Sequence, residues 1–218
     1  MSRGGENPSA PARRSPLHAW FRGFPRAQTA PTGTLRFEDL SWRHRFGCKG
    51  PAAESWLSAC GFKVPAAPNS AEIDSNGVLV ARLATAEFLV EAVDSGEDRV
   101  CGAAQRLESA ERARDVYPVP RSDLVLGITG TAIDALLRQI CSVNFTPLLE
   151  SAGRCGGPVI LTSMIGVGVV AWPRPTELGS CVTLWIDPSF AHYFWTTLLE
   201  VGRETGDLMI GESNAEGE

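Results

Sequence analysis

Apolar residues along this chain come in two kinds of run, and each predicts a different element. Alternation around Trp42, His44 and Phe46 predicts a strand; Gly47 and Gly50 then make a turn, and Pro51 suits the first position of a helix. Ala52, Ala53, Trp56, Leu57 and Cys60 recur at helical spacing until Gly61 stops them. Past a loop with two prolines, GVLVARL (77–83) and EFLVEAV (87–93) read as paired strands around a turn at Ala84–Ala86. In CGAAQRLESAERARD (101–115), Ala103, Ala104, Leu107 and Ala110 form a thin stripe that predicts a surface helix. PVILTSM (158–164), GVGVVAWP (166–173) and CVTLWID (181–187) read as further strands. DPSFAHYFWTTLLEVG (187–202) predicts a closing helix, capped by Asp187 or Ser189, with Phe190, Phe194, Leu198 and Val201 on one face and Gly202 at its end.

The opening unit recurs at an offset of 80 residues. FGCKGPAAESWL (46–57) lies over LGITGTAIDALL (126–137), with Gly47/Gly127, Gly50/Gly130, Ala52/Ala132 and Leu57/Leu137 identical. Chance composition would give about one identity in such a window, so an internal duplication is the better account. The fold class is α+β, built of duplicated antiparallel sheet-plus-helix units. Residues 1–35 form a basic, partly disordered arm, 36–115 the first unit, 116–205 the second, and 206–218 a frayed acidic tail.

Charge sharpens this division. The net −5 argues against nucleic acid as a partner, since phosphate binding needs a surplus of Lys and Arg. Residues 1–49 nevertheless carry nine basic and three acidic groups, which leaves −11 for the rest. That arm reads either as solvated or as docking on an acidic partner. The six cysteines include no C-x-x-C pair and none at metal-ligand spacing from His18, His44 or His192. They read as free thiols of a reducing cytoplasm, several of them, such as Cys48 and Cys141, in core positions. The N-terminus lacks the apolar stretch of a secretory signal, and no run approaches the 18 or so apolar residues of a membrane span.

Candidate chemistry is thin. The glycine turn at 126–137 looks like half a phosphate cradle, but no Lys follows Gly130, and position 128 is Ile where a dinucleotide fingerprint has its middle glycine. A structural turn is therefore expected. The GVG at 166–168 lies in a strand pattern with no helix after it, and there is no G-x-S-x-G elbow. Each histidine stands alone in sequence, His192 near a helix start. Glu97 and Asp98 read as a solvated loop pair, and Trp172, Trp185 and Trp195 as core before pocket lining. No residue is assigned as catalytic, cofactor-binding or metal-binding.

Taken together, RFGCKGPAAESWL (45–57), RLATAEFLVEA (82–92), LGITGTAIDALL (126–137) and WIDPSFAHYFWTTLLE (185–200) resemble the gamma subunit of heterotetrameric sarcosine oxidase, over about Leu40 to Gly202. That family is related to the folate-binding aminomethyltransferase fold of the glycine-cleavage T-protein. The resemblance implies a structural subunit without catalytic residues, in a cytoplasmic flavoenzyme complex that oxidatively demethylates sarcosine to glycine and passes the one-carbon unit to tetrahydrofolate. It implies alpha, beta and delta partner subunits, which carry FAD, FMN, NAD, zinc and tetrahydrofolate, and no cofactor on this chain. Folate-active relatives place acids where this chain has Val78, Leu79 and Val80, and an Asn where it has Glu91-Ala92. Apolar side chains there can neither accept the pterin's N–H groups nor act as a base, although Glu91 remains open as a residue that could reach a pocket. Two alternatives stay open: a complex acting on another N-methyl amino acid, such as dimethylglycine, a betaine-derived compound or N-methylglutamate, and a stand-alone folate-binding aminomethyltransferase-like protein.

Overall fold

Strands that are apolar at consecutive positions need cover on both faces, and four layers provide it. The structure, a computed structural model, describes residues 14–21, 34–109, 113–151, 156–176 and 179–212. A short helix α1 (His18–Phe21) precedes strands β1 (Leu35–Asp39) and β2 (Arg45–Lys49), helix α2 (Ala53–Ala59) and strands β3 (Ser70–Ile73), β4 (Val78–Ala84) and β5 (Glu87–Ala92). Helix α3 (Glu97–Glu108) leads to β6 (Tyr117–Val119), β7 (Leu124–Thr129), and helices α4 (Ile133–Ile140) and α5 (Thr146–Ser151). Strands β8 (Gly156–Pro158), β9 (Ile160–Met164), β10 (Val167–Thr176) and β11 (Gly179–Ile186) follow, then a 3-10 turn at Pro188–Phe190, helix α6 (Ala191–Thr205) and β12 (Leu208–Glu212).

One six-stranded sheet has the order β6-β2-β5-β4-β3-β8 and the other β12-β1-β7-β11-β10-β9. Successive side chains on a strand point to opposite faces, and each face finds a different core. Val78, Val80, Phe88 and Val90 of the first sheet pack with Leu57 of α2 and with Val100, Ala103 and Leu107 of α3. Leu79, Ala81 and Leu89, from the same strands, pack with Val125, Trp172 and Trp185 of the second sheet. On the far side, Leu126, Ile128, Leu184 and Ile186 meet Ile133 and Leu136 of α4 and Phe194, Trp195 and Leu198 of α6. The layers run helix, sheet, sheet, helix, which is the expected α+β arrangement of two sheet-plus-helix units. Among the described residues no helix is long and apolar enough to cross a membrane.

The internal duplication is visible in the backbone. Gly50 and Gly130 have φ of 124° and 126°, a region that only glycine enters without strain. A Cβ on Gly50 would lie 2.3 Å from Asp115 O, and one on Gly130 would lie 2.2 Å from Thr34 O. Those same carbonyls accept the helix-entry N–H groups of Ala52 (3.3 Å) and Ala132 (3.0 Å). The entry residues match as well, with φ −96°, ψ 4° at Ala52 and φ −92°, ψ 9° at Ala132.

The sheets interlock more than a division at 115/116 suggests. β1 lies in the second sheet, antiparallel to β7, just as β6 lies antiparallel to β2 in the first. β8 reaches back to pair with β3. In each case an edge that would expose unpaired N–H and C=O groups is closed by the other half of the chain. Residues 208–212, expected to fray with the tail, form β12, which pairs parallel to β1 and closes that sheet's edge; residues 213–218 lie outside the described part. Of the basic arm, residues 14–21 and 34–35 are described: Leu17 is buried, Trp20 stacks edge-on against Trp195 at 5.2 Å, and Leu35 opens β1.

Local boundaries shift for identifiable reasons. Trp42 and His44 precede β2, because Arg43 N turns back to Leu40 O (3.1 Å) and Ser41 N bonds Asp39 Oδ1 (2.9 Å). Helix α3 begins at Glu97, six residues before the first residue of its expected stripe, Ala103, since acidic Glu97 and Asp98 suit a helix N-terminus; Ala110 of that stripe lies outside the described residues. Asp187 caps the 3-10 turn through Ser189 N (2.8 Å) and leaves Phe190 about half exposed. Gly202 is not the end of α6; it is buried inside the helix, where a Cβ would strike the Phe37 ring at 2.8 Å.

Asp74 pins α3 to the β3–β4 turn. Its carboxylate accepts from Asn76 N (2.9 Å), Val78 N (3.1 Å) and Arg99 Nη1 (2.9 Å). Burial pushes this carboxyl up, but the three hydrogen bonds outweigh it and hold the group below the usual carboxylate range. A depressed native value stabilises the fold above the unfolded value and is lost as pH falls through the native one. Asp74→Asn should therefore cost about 1–3 kcal/mol at neutral pH, with the gap to wild type closing below about pH 4, as read by urea unfolding across pH. In the same assay Gly130→Ala should lose at least about 2 kcal/mol. Gly102→Ala, in α3 with nothing within 4 Å of the new methyl, should gain about 0.5–1 kcal/mol.

Candidate functional site

The main polar cluster of the interior lies between the two sheets. Arg45 of β2 faces Glu91 of β5 directly across the ladder, and period-two alternation turns both toward the second sheet. Glu91 has no solvent exposure. Arg45 Nε stands 3.0 Å from Glu91 Oε2, and Trp185 Nε1 from the second sheet donates to the same oxygen at 2.8 Å. Arg43 Nη1 lies 3.5 Å from the other oxygen. The remaining Arg45 donors reach three carbonyls: Asp123 (2.9 Å), Leu40 (3.2 Å) and Ser41 (2.9 Å). Burial pulls the Arg45 guanidinium below its ordinary value while Glu91 and Asp123 oppose the shift; an arginine starts so far above neutrality that it stays charged.

This geometry fixes what Glu91 can do. Both oxygens face cations or the indole N–H, and none of the side chain meets solvent. A general base must reach substrate; Glu91 Oε1 accepts no hydrogen bond among the described residues, but with no solvent exposure the carboxylate serves as the structural partner of Arg45. An open cleft of about 540 Å³ does lie over Trp185, lined also by Arg121, Ser122, Asp123, Leu161 and Pro188. Among the described residues that line it, the cation Arg121 is already engaged by Glu87 at 3.1 Å and Asp123 at 4.0 Å.

The glycine turn at 126–137 proves to be a packing element. Where a phosphate would meet the helix N-terminus, Thr34 O already accepts the Ala132 N–H. The adjoining cavity of about 350 Å³ is lined by Asp134 and Glu150, which would repel an anion. The Asp134 carboxyl is held below its usual range by the Thr146 hydroxyl and Arg138.

The other positions singled out in the sequence fall into place individually. Val78, Leu79 and Val80 are each at most 1% exposed and sit in apolar cores. Trp172, Trp185 and Trp195 are buried. His192 is exposed on α6. Glu97, expected in a solvated loop, opens α3 and places Oε1 2.9 Å from His44 Nε2. On the other side of that ring, Cys101 Sγ stands 2.9 Å from His44 Nδ1. The four-residue spacing of Glu97 and Cys101 was the available signal, since it places both on one helix face; their partner is 57 residues from Cys101 along the chain, which no local pattern reveals.

With this geometry established, comparison with known proteins gives a consistent fold. No protein-family model and no curated protein sequence matches the chain. Among solved structures, a chain of heterotetrameric sarcosine oxidase from Corynebacterium sp. U-96, in complex with pyrrole 2-carboxylate, is similar with a TM-score of 0.67 and 22% identity. That likeness covers 94% of this chain and 99% of the other. The glycine cleavage system aminomethyltransferase T from Bartonella henselae is similar with a TM-score of 0.59 and 12% identity; the match covers 92% of this chain and 60% of that one. The chain therefore has the α+β fold common to these two proteins, and spans somewhat over half of the aminomethyltransferase.

The buried pair makes a prediction of its own. Glu91→Gln leaves the Arg45 guanidinium unneutralised between the sheets and should cost about 3–5 kcal/mol, measured by urea denaturation. The double variant Arg45→Met/Glu91→Leu should recover most of that loss, because it removes both charges from the apolar layer.

Proposed function

We propose that this chain is the small structural subunit of a heterotetrameric sarcosine oxidase-type complex, the gamma-type subunit that the sequence resembles. The observation that carries this reading is the fold likeness over nearly the whole of both chains, in a protein whose solved form is heterotetrameric. Two further features support a non-catalytic role. The segment that holds acids in folate-active relatives is here an apolar core strand, and Glu91 is locked in an ion pair. In this reading FAD, FMN, NAD, zinc and tetrahydrofolate belong to the alpha, beta and delta partners. The complex oxidatively demethylates sarcosine to glycine in the cytoplasm.

The surface offers a face for such partners. Leu161, Phe190 and Tyr193 are each about half exposed. Leu161 and Pro188 line one cleft, and the Tyr193 hydroxyl donates to Ile165 O at 3.2 Å, tying α6 to the β9–β10 hairpin. Large exposed side chains of this kind are available for contact with a partner.

Affinity purification of the tagged chain from its native cells tests the proposal. Larger partners carrying flavin absorbance, and turnover of sarcosine ahead of other N-methyl amino acids, are the expected result. A solitary, stable monomer would overturn the subunit role, and preference for dimethylglycine or another N-methyl compound would overturn the substrate. Calorimetry of the isolated chain with tetrahydrofolate should give no saturable heat; saturable binding would favour the stand-alone folate protein.

A further inference from the structure

Three side chains outside the polar junction form a relay. Glu97 and Cys101 stand one turn apart on α3, and the His44 ring bridges them: Sγ lies 2.9 Å from Nδ1, and Glu97 Oε1 lies 2.9 Å from Nε2. The chain holds the ring in place from both sides. Ala92 N donates to His44 O at 2.9 Å, while the flanking Arg43 and Arg45 are drawn to Glu91 on the opposite face of the sheet. The order thiol, imidazole, carboxylate is that of a nucleophile, its base and the group that orients the base.

The three donor atoms lie within 4.8 Å of one another, so a metal chelate must be weighed against the relay. Two points favour the relay. Sulfur stands at one ring nitrogen and carboxylate at the other, each at 2.9 Å, whereas a metal ion takes a single nitrogen of an imidazole. A closed zinc site also needs four ligands, and the described residues supply three.

We propose that Cys101 is a peroxide-reactive thiol, with His44 as its base and Glu97 as the group that positions His44. The inference rests on these three residues and is independent of the subunit reading. With the Glu97 carboxylate 2.9 Å from Nε2, the ring proton sits on Nε2, which leaves the Nδ1 lone pair to take the Cys101 proton. The thiolate sulfur attacks one oxygen of hydrogen peroxide. An S–O bond forms, the O–O bond breaks, and the departing hydroxide takes the proton from His44 Nδ1 and leaves as water. Sulfur loses two electrons and becomes a sulfenic acid; the peroxide is reduced.

Access separates Cys101 from the buried thiols. The His44 and Glu97 side chains are 28% and 60% exposed, and Cys101 is half-buried. Burial pushes the Cys48 thiol up to about 12 and raises Cys181 as well. Cys60 is half-buried like Cys101 and is also raised by burial, which makes it the internal reference.

The test is site-resolved mass spectrometry of the full-length chain after timed exposure to iodoacetamide, and separately to hydrogen peroxide with dimedone as the sulfenic-acid trap. Cys101 should react about tenfold or more faster than Cys60 with both. His44→Gln should lower the Cys101 rate about tenfold without changing that of Cys60. Glu97→Gln, an exposed change that leaves the core untouched, should lower it about two- to fivefold. Equal rates at Cys101 and Cys60, or a Cys101 rate indifferent to Glu97→Gln, would overturn the proposal. So would full protection of Cys101 by one equivalent of zinc, which would make the cluster a metal site.

Discussion

A carboxylate without solvent access holds its charge only if cations and N–H groups are brought to it, and Glu91 has no solvent access. Meeting that requirement organises the middle of the molecule. Arg45 comes from the neighbouring strand, Arg43 from the turn before it, and Trp185 from the other sheet. Arg45 in turn needs acceptors, and takes them from carbonyls at Leu40, Ser41 and Asp123. Those carbonyls lie where the chain passes between sheets, from β1 into β2 and from β6 into β7. A sliding of one sheet over the other would strand several of these groups at once. Apolar contacts between the same sheets are less directional, so the polar junction is what selects one register among those the greasy layer would accept.

The interlocked edges follow the same logic on the backbone. β1 crosses to the second sheet and β8 returns to the first, so each half completes the other's ladders. Neither half has all its edges covered without the other. The Thr34 and Asp115 carbonyls show how closely the strands are fitted: each precedes the crossing strand and satisfies the N–H that opens its neighbouring helix. The tight approach that makes this possible is why Gly50 and Gly130 persist as a pair.

What could be read in the sequence was whatever is local or repeated. The twin glycine turns, the doubly buried strands and the helical stripes of α2, α4 and α6 all leave a periodic trace within one segment. Strand exchange leaves none. β1 and β12 are short and mix charged with apolar residues, and their pairing depends on which edges remain open after the rest has folded. Arg45 was hidden for a related reason: beside Trp42, His44 and Phe46 it reads as a solvent-facing position, and only a second sheet turns that face into an interior, where Glu91 meets an arginine rather than a pocket. Gly202 and Phe190 were misplaced on α6 because helical spacing alone does not say where a neighbouring ring, Phe37, will demand the absence of a Cβ.

The segment from Arg43 to Arg45 joins the buried Glu91 pair to the His44 cluster. Alternation sends Arg43 and Arg45 toward Glu91 and leaves His44 on the other face, against Glu97 and Cys101. The backbone that fixes the buried pair therefore also fixes the imidazole. A change at Glu91 that loosens this segment would be felt at Cys101 through the ring's position, without any contact between the two. A coupling free energy is the same read from either site, so whatever displaces the ring at Glu97 or Cys101 is returned to the buried pair through the same short backbone.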